Sequence, residues 1–404
     1  MPSDVIFAPA DPGFLRDRYP TYRRLRDEAP VLWTSLNGRR CCVVTRYADV
    51  DAVLRDERAR VQPEPGAVPA HIGAGPAAEF YRTLPCLDPP AHTRLRRLIM
   101  PAFTPRRVQG MCGWIAEIVD DCLDAVAGAG EIDFVREIAS VIPARIACRL
   151  IHAPESDAET LLSHQPALNH VLSQGDLTPH ALATADDAAR FSFDYFGGIL
   201  DSLRGRLPND DVVGALLAGA EDGDRLSRTE LVTTLIGLLV ASYHTTRVSL
   251  TSAVHSLLRN PEQSAALRAE PGLAANAWTE TLRFDAPVHF VWRDLAAPVQ
   301  VAGERLDAGT HVVLGLAAAN RDERRFPAAD RLDISRADHR HMAFAAGAHY
   351  CPGAPLSRWE GQIFLTRFFA RFPDAEVTAD EPVRSHDLTF ASTEALPLRL
   401  GRGA

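Results

Sequence analysis

Seven cysteines stand in this chain of 404 residues, an odd number, and no two form a Cys-x-x-Cys pair. That argues against a disulfide framework and against zinc or iron–sulfur ligation by clustered thiolates. Apolar runs are also short. The longest, near LIGLLVASYHTT, is far below the roughly 20 residues a membrane helix needs and turns polar at once. The N-terminal MPSDVIFAPADPGFLRDRYP is acidic early and has no apolar core, so neither signal peptide nor anchor is expected. A soluble, cytoplasmic protein follows as the expectation. No glycine pattern follows a strand as a dinucleotide-binding fold requires, and GAGPAAEF at 73–80 is only composition. Positive charge is lacking too. The net formal charge is -9, which makes nucleic acid a poor partner. Linkers, repeats and low-complexity segments are absent.

What is present is a globular composition, 46% apolar and 24% charged. The length exceeds the usual one-core size of about 250–300 residues but suits one large domain, expected over 1–404. Helical periodicity dominates. It is read in FLRDRYPTYRRLRDE and around 105–128, 133–150, 182–205, 225–257 and 261–284. RCCVVTRYADVDAVLRD reads as a strand, a turn at 47–49 and a helix. Residues 59–80, rich in Pro, Gly and Ala, read as a loop or broken helix over a site. VQVAGERLDAGTHVVL reads as a hairpin through Gly303 or Gly309, and LTFASTEALPLRL as a strand pair. The fold class expected is mainly α with small β-sheets (α+β).

The most informative stretch is HMAFAAGAHYCPGAPLSRWEG, residues 341–361. Cys351 lies between Gly347 and Gly353, with Pro352 behind it and an amphipathic helical pattern beyond. Glycines allow sharp turns and close approach to a flat ligand. A thiolate at a helix start gains from the dipole and nearby N–H groups. Three readings stay open on these grounds: a packed core thiol, a nucleophile served by His349, or a lone axial iron ligand.

Phe344-x-x-Gly347-x-His349-x-Cys351-x-Gly353 resembles the haem-binding loop of the cytochrome P-450 superfamily, with Ala345 where that family usually has glycine. The resemblance covers nearly the whole chain, closely from about 230 to 370. It implies a single triangular-prism-like domain. It implies haem b with Cys351 as the iron ligand, Phe344 packed beside the thiolate and Gly353 close to the ring. It assigns the haem propionates to His92, Arg96, Arg293 and His341, with His349 near one of them. Glu280 and Arg283 in WTETLRF, three residues apart, resemble the family's buried Glu-x-x-Arg pair, with Arg336 as third partner.

ASYHTT, residues 241–246, resembles the distal oxygen-binding segment of the family. Thr245 matches the residue that helps deliver protons to bound O2, on a helix that is normally distorted there. Ser242 replaces a glycine and His244 replaces a carboxylate. Histidine titrates near neutrality and can relay protons through water, contact a substrate acid, or pair inside the fold. The resemblance implies a monooxygenase oxidoreductase of the soluble bacterial class, using O2 and taking electrons from NAD(P)H through a ferredoxin reductase and ferredoxin. Arg96, Arg97, Arg106, Arg107 and Arg358 are the candidate basic patch for that ferredoxin. Residues 61–85, 165–190, 237–245, 287–292 and 390–395 match substrate-facing regions. They include Leu238, Ala241, Val288, His289, Phe290, Ala391 and Ser392. The expected substrate is a mostly apolar natural-product intermediate, free or on a carrier protein, handled by a monomer. Oxidative coupling, rearrangement or dehydration, and a non-catalytic haem protein, are the competing readings. A peroxide-driven variant ranks low, because its distal Arg–Pro pair is absent, and so does a cysteine hydrolase.

Overall fold

The computed structural model describes residues 5–36, 38–62, 64, 66–172, 178–203, 205–208, 211–218, 220–221, 224–379, 383–385 and 387–401. The architecture is mainly helical with small sheets, as the periodicity predicts. Two compact units are formed. The first comprises Met1–Ala59, Cys112–Ile142 and Thr245–Ala404; the second comprises Arg60–Met111 and Pro143–His244. No helix among the described residues is long and apolar enough to cross a membrane.

In the first unit, strand Val31–Leu36 pairs antiparallel with Arg39–Val44. Arg39–Val44 runs parallel to His311–Gly315, which pairs antiparallel with Phe290–Leu295. The Ala59–Arg60 strand stands at the far edge, at the unit boundary. A core of Cys42, Val44, Val50, Val53, Leu54, Val312, Leu314 and Met342 joins this sheet to helix Tyr47–Arg55 and to the segment leading to Cys351. Helix Tyr47–Arg55 begins at Tyr47, where a turn is expected from the sequence. The Asp322 carboxylate accepts the Tyr47 N–H at 2.9 Å, an N-terminal cap supplied 275 residues away.

The expected hairpin forms through Gly303, whose φ of 83° follows Ala302 at 50°, and joins Val299–Val301 to Glu304–Leu306. Gly309, at φ 81°, turns the chain into the main sheet instead. The periodic run 261–284 is two helices, Pro261–Ala269 and Ala274–Phe284, because Pro271 and Gly272 interrupt it. The tail strands Thr393–Ala395 and Pro397–Arg399 do not pair with each other. One residue between them leaves no room for a hairpin. The former pairs with Val383–Arg384, the latter with Glu376–Val377 and Glu131–Asp133.

The second unit is built around helix Pro179–Leu203, which buries Ala185, Ala188, Ala189, Phe196 and Leu200. Asp186 on this helix accepts the N–H of Ala77 at 2.9 Å. A Cβ at Gly75 would fall 2.4 Å from the Asp186 carboxylate and would have to displace it. The 59–80 segment therefore closes with a short helix, Pro76–Tyr81, rather than remaining all loop. At its other end, Asp88 accepts the N–H groups of Val61 and Gln62, at 3.1 and 2.9 Å.

The chain contains no lysine; its 43 basic residues are all arginine. A guanidinium can satisfy several carbonyls from one plane. Arg18, 3% exposed, does so by donating to the carbonyls of Ser385, Asp387 and Leu388.

Candidate active site

The loop that ends at Cys351 is held at several points within the first unit. Met342 donates its N–H to the Asn320 side chain at 2.6 Å. Ala345 takes a φ of 55°, the left-handed region that favours glycine, in the very place where the resemblance expects glycine. Gly347, at φ 67°, lies so near helix Tyr47–Arg55 that a Cβ would sit 2.4 Å from the Leu54 carbonyl oxygen. Cys351 closes the loop by donating its N–H to the Phe344 carbonyl at 3.0 Å. Three residues on, helix Ala354–Arg371 begins behind Gly353. A Gly353 Cβ would approach Cys351 Sγ to 3.7 Å. The half-buried cysteine is thus set just ahead of a helix N-terminus.

Aromatic and cationic groups gather around Phe344. The Phe344 ring lies 5.5 Å from the His341 ring and 6.3 Å from the Tyr350 ring, with the Arg358 guanidinium 5.5 Å over its face. Arg358 also donates to the Tyr350 hydroxyl at 3.1 Å. His341 accepts the Ala343 N–H on Nδ1 at 3.1 Å, so its proton resides on Nε2. That Nε2 is buried and has no hydrogen-bond partner among the described residues. Burial, followed by the charges of Arg358 and Arg283, pushes His341 down to about 3. His341 is therefore a neutral donor here rather than the cation the sequence suggests. An unanswered buried N–H and a half-buried thiol in one loop fit a group that brings both an iron and carboxylates, as haem does. No cluster of three or more His, Cys, Asp or Glu residues among the described ones could hold a metal unaided.

The other propionate candidates are placed as follows. Arg293 is 5% exposed on strand Phe290–Leu295 and donates to the Trp292 carbonyl at 2.6 Å. His349 is half-buried in the turn before Cys351. His92 and Arg96 belong to the second unit, one turn apart on helix Ala91–Ile99, with His92 buried and Arg96 half-buried. The Asp88 carbonyl accepts the His92 N–H at 3.0 Å and fixes the start of that helix. Of the basic-patch residues, Arg97, Arg106 and Arg358 are exposed and Arg107 is half-buried.

Behind the loop, Glu280 and Arg283 are each 1% exposed and bond through two contacts of 2.7 Å. The remaining donors of Arg283 reach the carbonyls of Asn320, Ala329 and Arg331. Arg336 adds a 3.2 Å bond to Glu280. Full pairing is what makes such burial tolerable. The triad ties helix Ala274–Phe284 to the 320–336 segment that leads into the Cys351 loop.

The long helix Arg228–Leu258 runs without interruption through 241–246, whereas the resemblance predicts a distortion there. Ser242, at the position of the usual glycine, donates its hydroxyl to the Leu238 carbonyl at 2.6 Å and follows the helix path. Gly237, Leu238, Ser242 and Thr245 are half-buried and Ala241 is exposed, in the middle of an otherwise largely buried helix. Their spacing of three and four places them on one face. His244 is half-buried.

Sequence reasoning overlooked Glu360. Its carboxyl is 5% exposed and hydrogen-bonded by the Thr246 hydroxyl; burial pushes it up to about 7, against the pull of that bond. A signal existed. Leu356, Glu360, Phe364 and Phe368 recur at four-residue spacing, so a carboxyl sits in an apolar stripe.

The substrate-facing segments divide by unit. In the second unit two of them, 61–85 and 165–190, meet one turn of the long helix. Thr83 Oγ1 would lie 2.7 Å from a Gly237 Cβ, and Gln165 Nε2 donates to the Leu239 carbonyl at 3.0 Å. Residues 63, 65 and 173–177 of these segments lie outside the described residues. In the first unit Val288 is half-buried, packs against the sheet core and bridges to Phe390. The expectation that His289 and Phe290 face a pocket is corrected. Both are 1% exposed. His289 Nδ1 pairs with the Tyr22 hydroxyl at 2.8 Å, and the Phe290 ring packs 5.6 Å from Tyr22. Tyr22 takes both side chains into the core. Ala391 and Ser392 are likewise enclosed, at 3% and 2% exposure.

Three comparisons agree with this geometry. Residues 177–395 match the family model described as Cytochrome P450. Cytochrome P450 107B1 of Saccharopolyspora erythraea is 37% identical over 401 residues, 97% of either chain. The 6-deoxyerythronolide B hydroxylase of the same organism is 31% identical, covering 96% of this chain and 97% of its own. Among solved structures, P450BioI in complex with an acyl carrier protein ligated to hexadec-9Z-enoic acid superposes with a TM-score of 0.89. It is 28% identical and covers 98% of this chain and 100% of its own.

Proposed function

This chain belongs to the cytochrome P450 family and is an oxidoreductase of the monooxygenase kind, and from that premise we propose that Cys351 ligates a haem b iron and that the substrate is a mostly apolar natural-product intermediate. The observation that carries the reading is the Cys351 loop: a half-buried cysteine whose backbone N–H closes onto the Phe344 carbonyl just ahead of a helix, in a loop that also holds a buried and unanswered His341 N–H. His92, Arg96, Arg293 and His341 are the proposed propionate partners, with His349 near one of them. The enzyme is proposed as one cytochrome domain over 1–404, working as a monomer in the cytoplasm.

When bound, haem supplies the activation of O2 and the oxidation of substrate, and the thiolate of Cys351 pushes electron density toward that step. The chain supplies protons and position. Thr245 lies on the accessible face of the long helix and is the proposed donor toward the oxygen side. Its neighbour Thr246 bonds Glu360, whose carboxyl holds a proton near neutral pH and can pass it through that hydroxyl. This supplies the buried acid that His244 no longer provides at its own position. Arg97, Arg106 and Arg358, exposed in their respective units, suit an acidic ferredoxin reduced by an NAD(P)H-dependent reductase. The relative named as a hydroxylase of 6-deoxyerythronolide B supports the natural-product class, and the carrier-protein complex of P450BioI supports delivery on a carrier. Ser242 and His244, both departures from the family's usual residues, favour coupling or dehydration as the second reading of the outcome.

The test is the optical spectrum of the reduced, carbon-monoxide-bound protein. A long-wavelength thiolate-type Soret band is expected, lost in Cys351→Ser. A histidine-type band in fresh protein, or no haem uptake at all, would overturn the assignment.

A further inference from the structure

Gln165 opens helix Gln165–Leu172 in the second unit and is 2% exposed. Its amide nitrogen donates to the Leu239 carbonyl at 3.0 Å. Reversing the amide would set oxygen against oxygen, so its orientation is determined. Its oxygen Oε1 then has no partner among the described residues, although it is buried. Buried acceptors are paired as a rule. The turn it grips is not ordinary core. Leu238, Ala241 and Ser242 are accessible on the same turn, and Thr83 reaches it at Gly237. Ser242 cannot serve Oε1, because its single proton is committed to the Leu238 carbonyl.

We propose that Gln165 is a specificity-determining residue: Oε1 accepts a hydrogen bond from an O–H or N–H of the substrate. The substrate class narrows accordingly to an apolar body that presents a hydroxyl or an amide N–H toward helix turn 237–242. This rests on the monooxygenase reading. It makes Gln165 a discriminator, since a site built around a hydrogen bond rejects the analogue that lacks the donor. The Leu239 bond holds the carboxamide in one orientation in advance, so little rotamer freedom is lost on binding.

The probes are N-alkylimidazoles of graded chain length, each made with a terminal hydroxyl and with a terminal methoxy group. Binding to the haem protein is read from the nitrogen-ligand shift of the Soret band. In wild type the hydroxyl-over-methoxy affinity ratio should peak at one chain length, by about tenfold, and Gln165→Leu should flatten the peak. A flat ratio in wild type overturns the proposal without any variant. A peak that survives in Gln165→Leu overturns it too, and assigns Oε1 to a structural water. If no imidazole shifts the band of wild type, the haem reading itself has failed, and this inference falls with it.

Discussion

Thr246 and Glu360 meet within the first unit, hydroxyl to carboxyl, joining the helix that carries Thr245 to the helix that starts behind Cys351. The relationship makes a buried, titrating acid part of the structure. Burial raises Glu360 from 4.5 to about 7. A group whose folded pKa is raised adds stability that is fully present below the unfolded value and lost as pH rises through the folded one. Wild type should therefore lose stability relative to Glu360→Gln from pH 4.5 upward, levelling off above 7. The loss is on the order of 3 kcal/mol at most. Urea unfolding at several pH values measures it; parallel curves for the two proteins would refute the shift. Turnover of Glu360→Gln should fall, with more electrons diverted to hydrogen peroxide.

Gly361, the next residue, faces Trp278 so closely that a Cβ would lie 1.9 Å from the indole. Trp278 is fully buried, so it has nowhere to retreat. Gly361→Ala should cost about 1–3 kcal/mol through overpacking. Trp278→Phe in the same chain should recover part of it. A denaturation midpoint unchanged by Gly361→Ala would mean that the two helices separate freely there.

Ala345 occupies a left-handed conformation at φ 55°. That costs an L-residue about 1–2 kcal/mol, of which glycine gives back about 0.5–1 in unfolded-chain entropy. Ala345→Gly should raise stability by about 0.5–1 kcal/mol. Thermal unfolding decides it, and a lower melting temperature would show that the turn is unstrained.

His289 is held at about 3, below its ordinary 6.5, first by burial and then by the charge of Arg18. The unfolded chain therefore binds the extra proton over that interval. Its stabilising effect is present above 6.5 and lost as pH falls toward 3. The slope is about 1.4 kcal/mol per pH unit for one proton. His289→Gln should remove one proton's worth of acid sensitivity, read by stability titration between pH 6 and 4. An unaltered slope would place the histidine in contact with water.

Much of the site was legible as spacing. Glu280 and Arg283, three apart in a helical run, could only share a face, and the glycines around Cys351 marked a turn that Gly347 indeed needs against Leu54. The accessible stripe of Leu238, Ala241, Ser242 and Thr245 follows from the same arithmetic. Less legible was the direction of single side chains in extended chain. His289 and Val288 are neighbours, yet one joins Tyr22 and the other packs half-buried on the sheet core. Nothing within a few residues of either encodes that difference.

The sequence by itself determined the helical mass, the Cys351 loop and the family. These depend on patterns within a turn or two of the chain, where periodicity, glycine freedom and fixed motif spacing act. Tertiary structure alone decided that Asp322 caps Tyr47, that the two tail strands pair with different partners, and that Glu360 titrates near neutrality. Capping across 275 residues, strand pairing and desolvation are properties of what the fold places beside a group. Local propensity carries no record of that neighbour, so the charge state of Glu360 and the unanswered acceptor of Gln165 became visible only once the chain was folded.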